Sequence, residues 1–166
     1  MNPVLKFENL LVKAEKAAVV GLIFAMVGLS FLQVLLRIFF HSGIVWLDPL
    51  LRHMVLWAGL TGAALAARYS RHFALEAFGK LAPKAFHRPL EIFASAFTVA
   101  AAGLLFYASY KFISDEFTAG SVAFYINDLA VKGGWAEMII PIAFALIAFH
   151  ALAGIFRPAD AAEGQL

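Results

Sequence analysis

Four stretches of this chain are apolar on every side of a helix, and the polar positions gather between them. Ala17–Leu36, Ile92–Tyr110 and Met138–Phe156 contain no charged residue and run for 20, 19 and 19 residues. Each is long enough to cross a hydrocarbon core of about 30 Å as an α-helix. The fourth, Met54–Ala67, has only 14 residues free of charge and histidine, about 21 Å of helix. To span, it must reach back to Asp48, which puts Arg52 and His53 roughly 6–8 Å inside its outer end. Asp48-Pro49 fits that start, since Asp is a favoured N-cap and Pro is tolerated at the first helical position. The pattern predicts an all-α integral membrane protein, one domain over 1–166. Its four transmembrane helices fall near 17–36, 48–67, 91–110 and 138–156.

Between the spans, two segments carry a different period. In 4–16, Lys6, Asn9, Lys13 and Lys16 form a polar stripe opposite Phe7, Leu10, Leu11 and Ala14. In 71–81, Phe73, Ala74, Ala77, Phe78 and Leu81 oppose His72, Glu76 and Lys80, and Pro83 follows. Both read as amphipathic interfacial helices lying in the headgroup plane. Lys6, Lys13, Lys16, Arg71, His72 and Lys80 then face anionic lipid. The alternative is that these segments simply prolong the spans. The 111–137 connection is punctuated by Gly120, Gly133 and Gly134, and Ser121–Ile126 is apolar enough to dip into the interface. A re-entrant turn, a short in-plane helix and an outer lid all fit it.

Composition agrees: 63% of residues are hydrophobic and mean hydropathy is +0.83, far above a soluble domain. The net charge of +2 says little, but its distribution gives an orientation. Nine Lys and Arg flank the ends that share the chain termini, and Arg37, Arg52, Lys111 and Lys132 make four on the other side. The positive-inside rule places both termini in the cytoplasm. Trp46 and Trp135 fall at the outer ends of spans two and four, as an aromatic belt would have them. Ala17–Leu36 is too long for a signal-peptide core and lacks a small-residue cleavage site, so it reads as a retained span. There is no cysteine, which excludes disulfides and thiolate chemistry.

The search for a reaction returns nothing specific. No nucleophile elbow, zinc-protease, phosphate-loop or dinucleotide motif occurs. Five histidines raise the question of haem or metal, but His53 lies near the outer end of span two while His150 is deep in span four. The two cannot serve one haem, and His41, His72 and His87 fall in loops. The span midplanes, Ala25-Met26-Val27, Ala58-Gly59-Leu60, Ala100-Ala101-Ala102 and Ala145-Leu146-Ile147, lack the ionisable groups a self-sufficient transporter needs there. No cofactor, metal or catalytic residue is expected.

Span two offers a packing surface instead. Gly59-Ala63-Ala67 and Ala58-Gly62-Ala66 are small-residue ridges of the kind that let membrane helices approach closely. Either the chain's own spans or a partner helix fills that groove. Arg52 has two readings as well: a local pair with Asp48 four residues away, or an inward turn to meet a partner protein. Trp46, Asp48, Arg52, Trp57, Gly59, Gly62, Ala63 and Ala66 are the interface candidates.

These residues resemble a known family. W-L-D-x-L-L-R-H-x-x-x-W-x-G-x-x-x-A-A-x-x-A-R-x-x-R-H-F-A-L-E, over Trp46–Glu76, is similar to the signature of the small, Q-type membrane subunit of the tripartite ATP-independent periplasmic (TRAP) transporters. Gly120-Ser121 and Pro141 fit weaker features of that family. Pro49 departs from it, standing where a second acid is common. The resemblance implies a scaffold in the bacterial inner membrane that supports a large, sodium-coupled, elevator-type subunit. It also implies a periplasmic solute-binding protein as partner, organic acids as cargo and no enzyme activity. A cofactor-binding redox subunit and a homo-oligomeric structural membrane protein are the alternatives.

Overall fold

The computed structural model describes residues 3–79 and 87–155, with side chains described over 7–69, at 89 and over 92–153. Four helices in it are long and apolar enough to cross a membrane. The long elements are α1 (Pro3–Phe40), α2 (Leu47–Gly79), α3 (His87–Ala119) and α5 (Ile139–Ile155). Between α3 and α5 lie β1 (Val122–Ile126), β2 (Leu129–Lys132) and the single-turn α4 (Gly133–Ala136).

The helices form a row more than a closed bundle. α1 packs along α2, α2 along α5, and α5 along α3, while α1–α5 and α2–α3 touch over few residues. The seams are small: Ala64 and Ala143 are fully buried, and Ala102, Ala151 and Ala153 nearly so. The large side chains point outward, with Phe24 74%, Phe97 69% and Leu104 73% exposed. This inversion of a soluble core is expected where lipid is as apolar as leucine and close backbone approach drives association. Hydroxyls inside the helices return to their own backbones, as in Thr61 Oγ1 to the Trp57 carbonyl (2.8 Å) and Thr98 Oγ1 to that of Ala94 (2.8 Å).

Three expectations change. Residues 4–16 are not a separate surface helix. α1 runs unbroken for 38 residues, about 57 Å, so this segment prolongs the first span. Its inward face is Glu8, Val12 and Glu15, whereas Phe7 and Leu10 are largely exposed. The 71–81 segment likewise continues α2 as far as Gly79; its last two residues lie outside the described residues. Third, the 111–137 connection is largely ordered secondary structure. α3 extends to Ala119, and Gly120 (φ 65) turns the chain into an antiparallel hairpin. Its register pairs Val122 with Lys132, Phe124 with Val131, Tyr125 with Ala130 and Ile126 with Leu129, with a bulge after Val122. Asn127 (φ 53) supplies the left-handed residue the tight Asn-Asp turn needs.

Two close approaches seat this cap on α3. A Cβ added to Gly133 would come within 2.7 Å of Glu116 Oε2, and one on Gly134 within 2.9 Å of the Phe117 ring. Trp135 stacks edge-on against Phe117 at 5.5 Å.

Candidate functional site

α2 has two faces with different chemistry. Met54, Thr61, Ala64 and Arg68 are buried and face the neighbouring helices. Arg52, Val55, Gly59, Ala63 and Ala66, spaced three and four apart, are exposed along one outward stripe. No atom of neighbouring elements lies within 4 Å of a Cβ built on Gly59 or on the half-buried Gly62. The described spans therefore leave this part of the groove open.

The N-terminal end of α2 is fixed by α1. Gln33 is buried and grips Ile44 with its amide: Nε2 donates to the Ile44 carbonyl (3.1 Å) and Oε1 accepts from the Ile44 N–H (3.1 Å). One turn further on, Arg37 Nη2 meets Asp48 Oδ2 at 3.0 Å. The local Asp48–Arg52 pair is thus replaced by a pair across the α1–α2 turn, because the Gln33 clamp brings the last turn of α1 beside the first turn of α2. Arg52 is exposed and has no ion pair among the described residues. The helix begins at Leu47, one residue before Asp48, and the half-buried Trp46 accepts the Leu50 N–H on its carbonyl (3.2 Å).

Trp57 faces the protein itself. Its Nε1 donates to the Ala136 carbonyl at 2.6 Å, tying α2 to α4. His53 Nδ1 donates to the Pro49 carbonyl (2.9 Å), and its ring rests against Phe124 at 5.4 Å. Of the lipid candidates, Lys13 and Lys16 are exposed, and Lys16 Nζ sits 5.2 Å over the Tyr69 ring. The Lys6, Arg71 and His72 side chains, and all of Lys80, lie outside the described residues.

A second site is not anticipated from the sequence. At the opposite end of these helices, Glu8 and Glu15 from α1, Arg68 from α2 and His150 from α5 converge in the interior. His150 Nε2 is 3.0 and 3.2 Å from the two Glu15 oxygens, and Nδ1 is 3.4 Å from Glu8 Oε1. Arg68 Nε lies 3.8 Å from Glu8 Oε1, and Arg68 Nη2 donates to Asn9 Oδ1 at 2.7 Å. Phe7 closes the side edge-on against Phe149 at 6.0 Å. Glu8 and Arg68 also have contacts beyond these. The cluster is a set of buried charges that pair one another, and among the described residues no arrangement of three or more histidines and carboxylates suits a metal ion. Its sequence signal is two acids seven residues apart and a lone histidine in a charge-free span, both of which demand partners.

Comparison with known proteins agrees with the architecture. The family model for tripartite ATP-independent periplasmic transporters, DctQ component, matches residues 26–161. A C4-dicarboxylate TRAP transporter small permease protein of Pseudomonas aeruginosa is 28% identical over 102 residues, 61% of this chain and 49% of that protein. The match therefore spans about half the relative's length. With four candidate spans and a family match over most of its residues, the chain belongs to the DctQ-component family of TRAP transporters.

Proposed function

We propose that this multi-pass protein is the static scaffold of a sodium-coupled, binding-protein-dependent secondary transporter for organic acids, with no enzyme activity of its own. In this reading it lies in the bacterial inner membrane with both termini cytoplasmic. The outward stripe of α2 holds a large, elevator-type membrane subunit, and a periplasmic solute-binding protein approaches the hairpin end. The observation that carries it is the open stripe itself. A glycine whose added Cβ meets nothing, flanked by exposed Ala63 and Ala66, is unexplained by packing among the described residues. It suits a second helix at close range. Arg52, exposed and without an ion pair among the described residues, supplies the charge that meets a carboxylate or carbonyls of that subunit.

Co-purification of the two subunits, with reconstituted uptake, tests the assignment. Arg52→Ala should weaken the complex by about 2–5 kcal/mol by stranding the partner group, and Gly59→Leu should block the approach while leaving this chain folded. Normal complex and uptake in both variants would remove α2 as the interface. A chain that returns alone from its native membrane, stable and complete, would favour a homo-oligomeric structural protein.

A further inference from the structure

The hairpin crosses from α3 to α2. At its root, Ser121 Oγ donates to Glu116 Oε2 on α3, the Gly133 N–H donates to the Ser121 carbonyl at 2.8 Å, and Trp135 packs on Phe117. Three residues along β1, Phe124 is buried with its ring against His53 on α2. The strands then run on past α2. Leu129 pairs with Ile126, on the face that Phe124 and Val131 share, yet it is 68% exposed. The tip of the hairpin therefore overhangs the helices.

Exposed charges on both helices mark the level of this crossing. On α2, Arg52 is exposed beside His53, and no further Asp, Glu, Lys or Arg occurs before Arg68. On α3, Lys111 and Asp115 are exposed just before Glu116, and none precedes Lys111 back to Glu91. Charge-free stretches of that length belong in the hydrocarbon core, and exposed charges belong among the headgroups. The hairpin contacts His53 and Glu116, the immediate neighbours of Arg52 and Asp115, so it lies in the headgroup layer. Its own surface matches that place. Tyr125, Leu129 and Trp135 are exposed, and so are Asp128 in the turn and Lys132 on β2. Aromatic rings with an apolar body and a polar tip favour the membrane–water boundary. Water and phosphates there also satisfy the free strand edges, which hydrocarbon would leave unpaired.

We propose that the hairpin, together with Trp135, is an interfacial anchor seated among phospholipid headgroups at the end of the molecule that carries the α1–α2 loop. Leu129 and the Tyr125 and Trp135 rings reach the top of the acyl chains, while Asp128 and Lys132 stay with the headgroups. Anchors of this kind set the tilt and rotation of membrane helices, so the hairpin fixes the depth of α2 and α3 in the bilayer. The anchor is separate from the stripe on α2 and does not depend on the subunit proposed to bind there.

The chain has no cysteine, so single positions can carry a nitroxide label. Tyr125→Cys and Leu129→Cys are labelled in the full chain, in liposomes of phosphatidylethanolamine and phosphatidylglycerol. Ser42→Cys, in the exposed loop after α1, gives the aqueous reference. Leu104→Cys, exposed within the charge-free part of α3, gives the hydrocarbon reference. Collision of each label with oxygen is compared with its collision with a polar nickel chelate. At both hairpin positions the oxygen-to-nickel ratio should fall between the two references, above Ser42 and below Leu104. A ratio equal to that of Ser42 puts the hairpin in water, open to a soluble protein, and overturns the anchor. Shielding from both reagents puts it under protein, a second copy of this chain included, and overturns it as well. If neither variant folds, Ala130→Cys carries the same reading, since Ala130 is small, exposed and paired with Tyr125.

Discussion

α1 is fastened at both ends, and the two ends use opposite chemistry. At its C-terminal end, the outer one in the proposed orientation, a neutral amide clasps the backbone of Ile44, and an ion pair lies in the open with its side chains 61% and 49% exposed. At its N-terminal end, the inner one in that orientation, four ionisable side chains from three helices are buried against one another. Where solvent or headgroups reach the polar atoms, each contact is worth little and its loss is made good by water. Where they do not, the groups depend on one another, and removing one leaves a buried charge short of a partner. The difference makes the inner end specific and brittle, and the outer end tolerant.

The strongest way to break that contrast is at Arg68. Arg68→Ala leaves Glu8 in the interior without its guanidinium, and the expected loss is about 3–5 kcal/mol. It should appear as a sharp drop in the unfolding midpoint in detergent, or as failure to accumulate in the membrane. Replacing the pair with Arg68→Met and Glu8→Gln should recover most of the loss, since apolar or neutral groups of similar volume often serve as well as a buried pair. If Arg68→Ala alone is nearly silent, the inner end is hydrated and the comparison fails.

An intermediate effect is expected at Gln33. Gln33→Ala abandons the N–H and C=O of Ile44 together, and partly buried backbone groups left unpaired cost about 1–3 kcal/mol. The loop 41–46 should then show faster amide exchange while the inner end stays protected. Loss of protection at both ends would mean that the clamp governs the whole of α1.

Legibility follows the same division. The four spans are plain because length and charge-free composition suffice for a membrane helix. The outer turn is half legible: Asp48 and Arg37 are visible as charges at adjoining helix ends, but spacing favours Arg52 as the partner, and only the Gln33 clamp decides for Arg37. The inner cluster is obscured because each member satisfies a simpler rule. Lys6, Asn9, Lys13 and Lys16 give a convincing polar stripe that hides Glu8 and Glu15, and Arg68 counts among the membrane-flanking bases. His150 and Glu15 are 135 residues apart, a pairing no local period encodes. The hairpin is different, because its signal is present. Val-Ala-Phe-Tyr-Ile between Gly120 and Asn127-Asp128 is a β-branched and aromatic run bounded by turn residues.

The smallest expected effect is at the exposed pair, and it separates two roles for neighbouring charges on α2. Arg37→Ala should cost less than about 1 kcal/mol in the isolated chain, as exposed ion pairs do. Asp48→Ala should cost slightly more, because Asp48 also lies in the first turn of α2, where a negative charge meets the positive end of the helix dipole. A double-mutant cycle between the two should give a coupling of a few tenths of a kcal/mol. Arg52→Ala should leave the isolated chain's midpoint unchanged, since Asp48 is already committed to Arg37, and should register only when the large subunit is present. A strong Asp48–Arg52 coupling in the isolated chain would return Arg52 to a local role. The proposed partner stripe would then rest on Gly59, Ala63 and Ala66 alone.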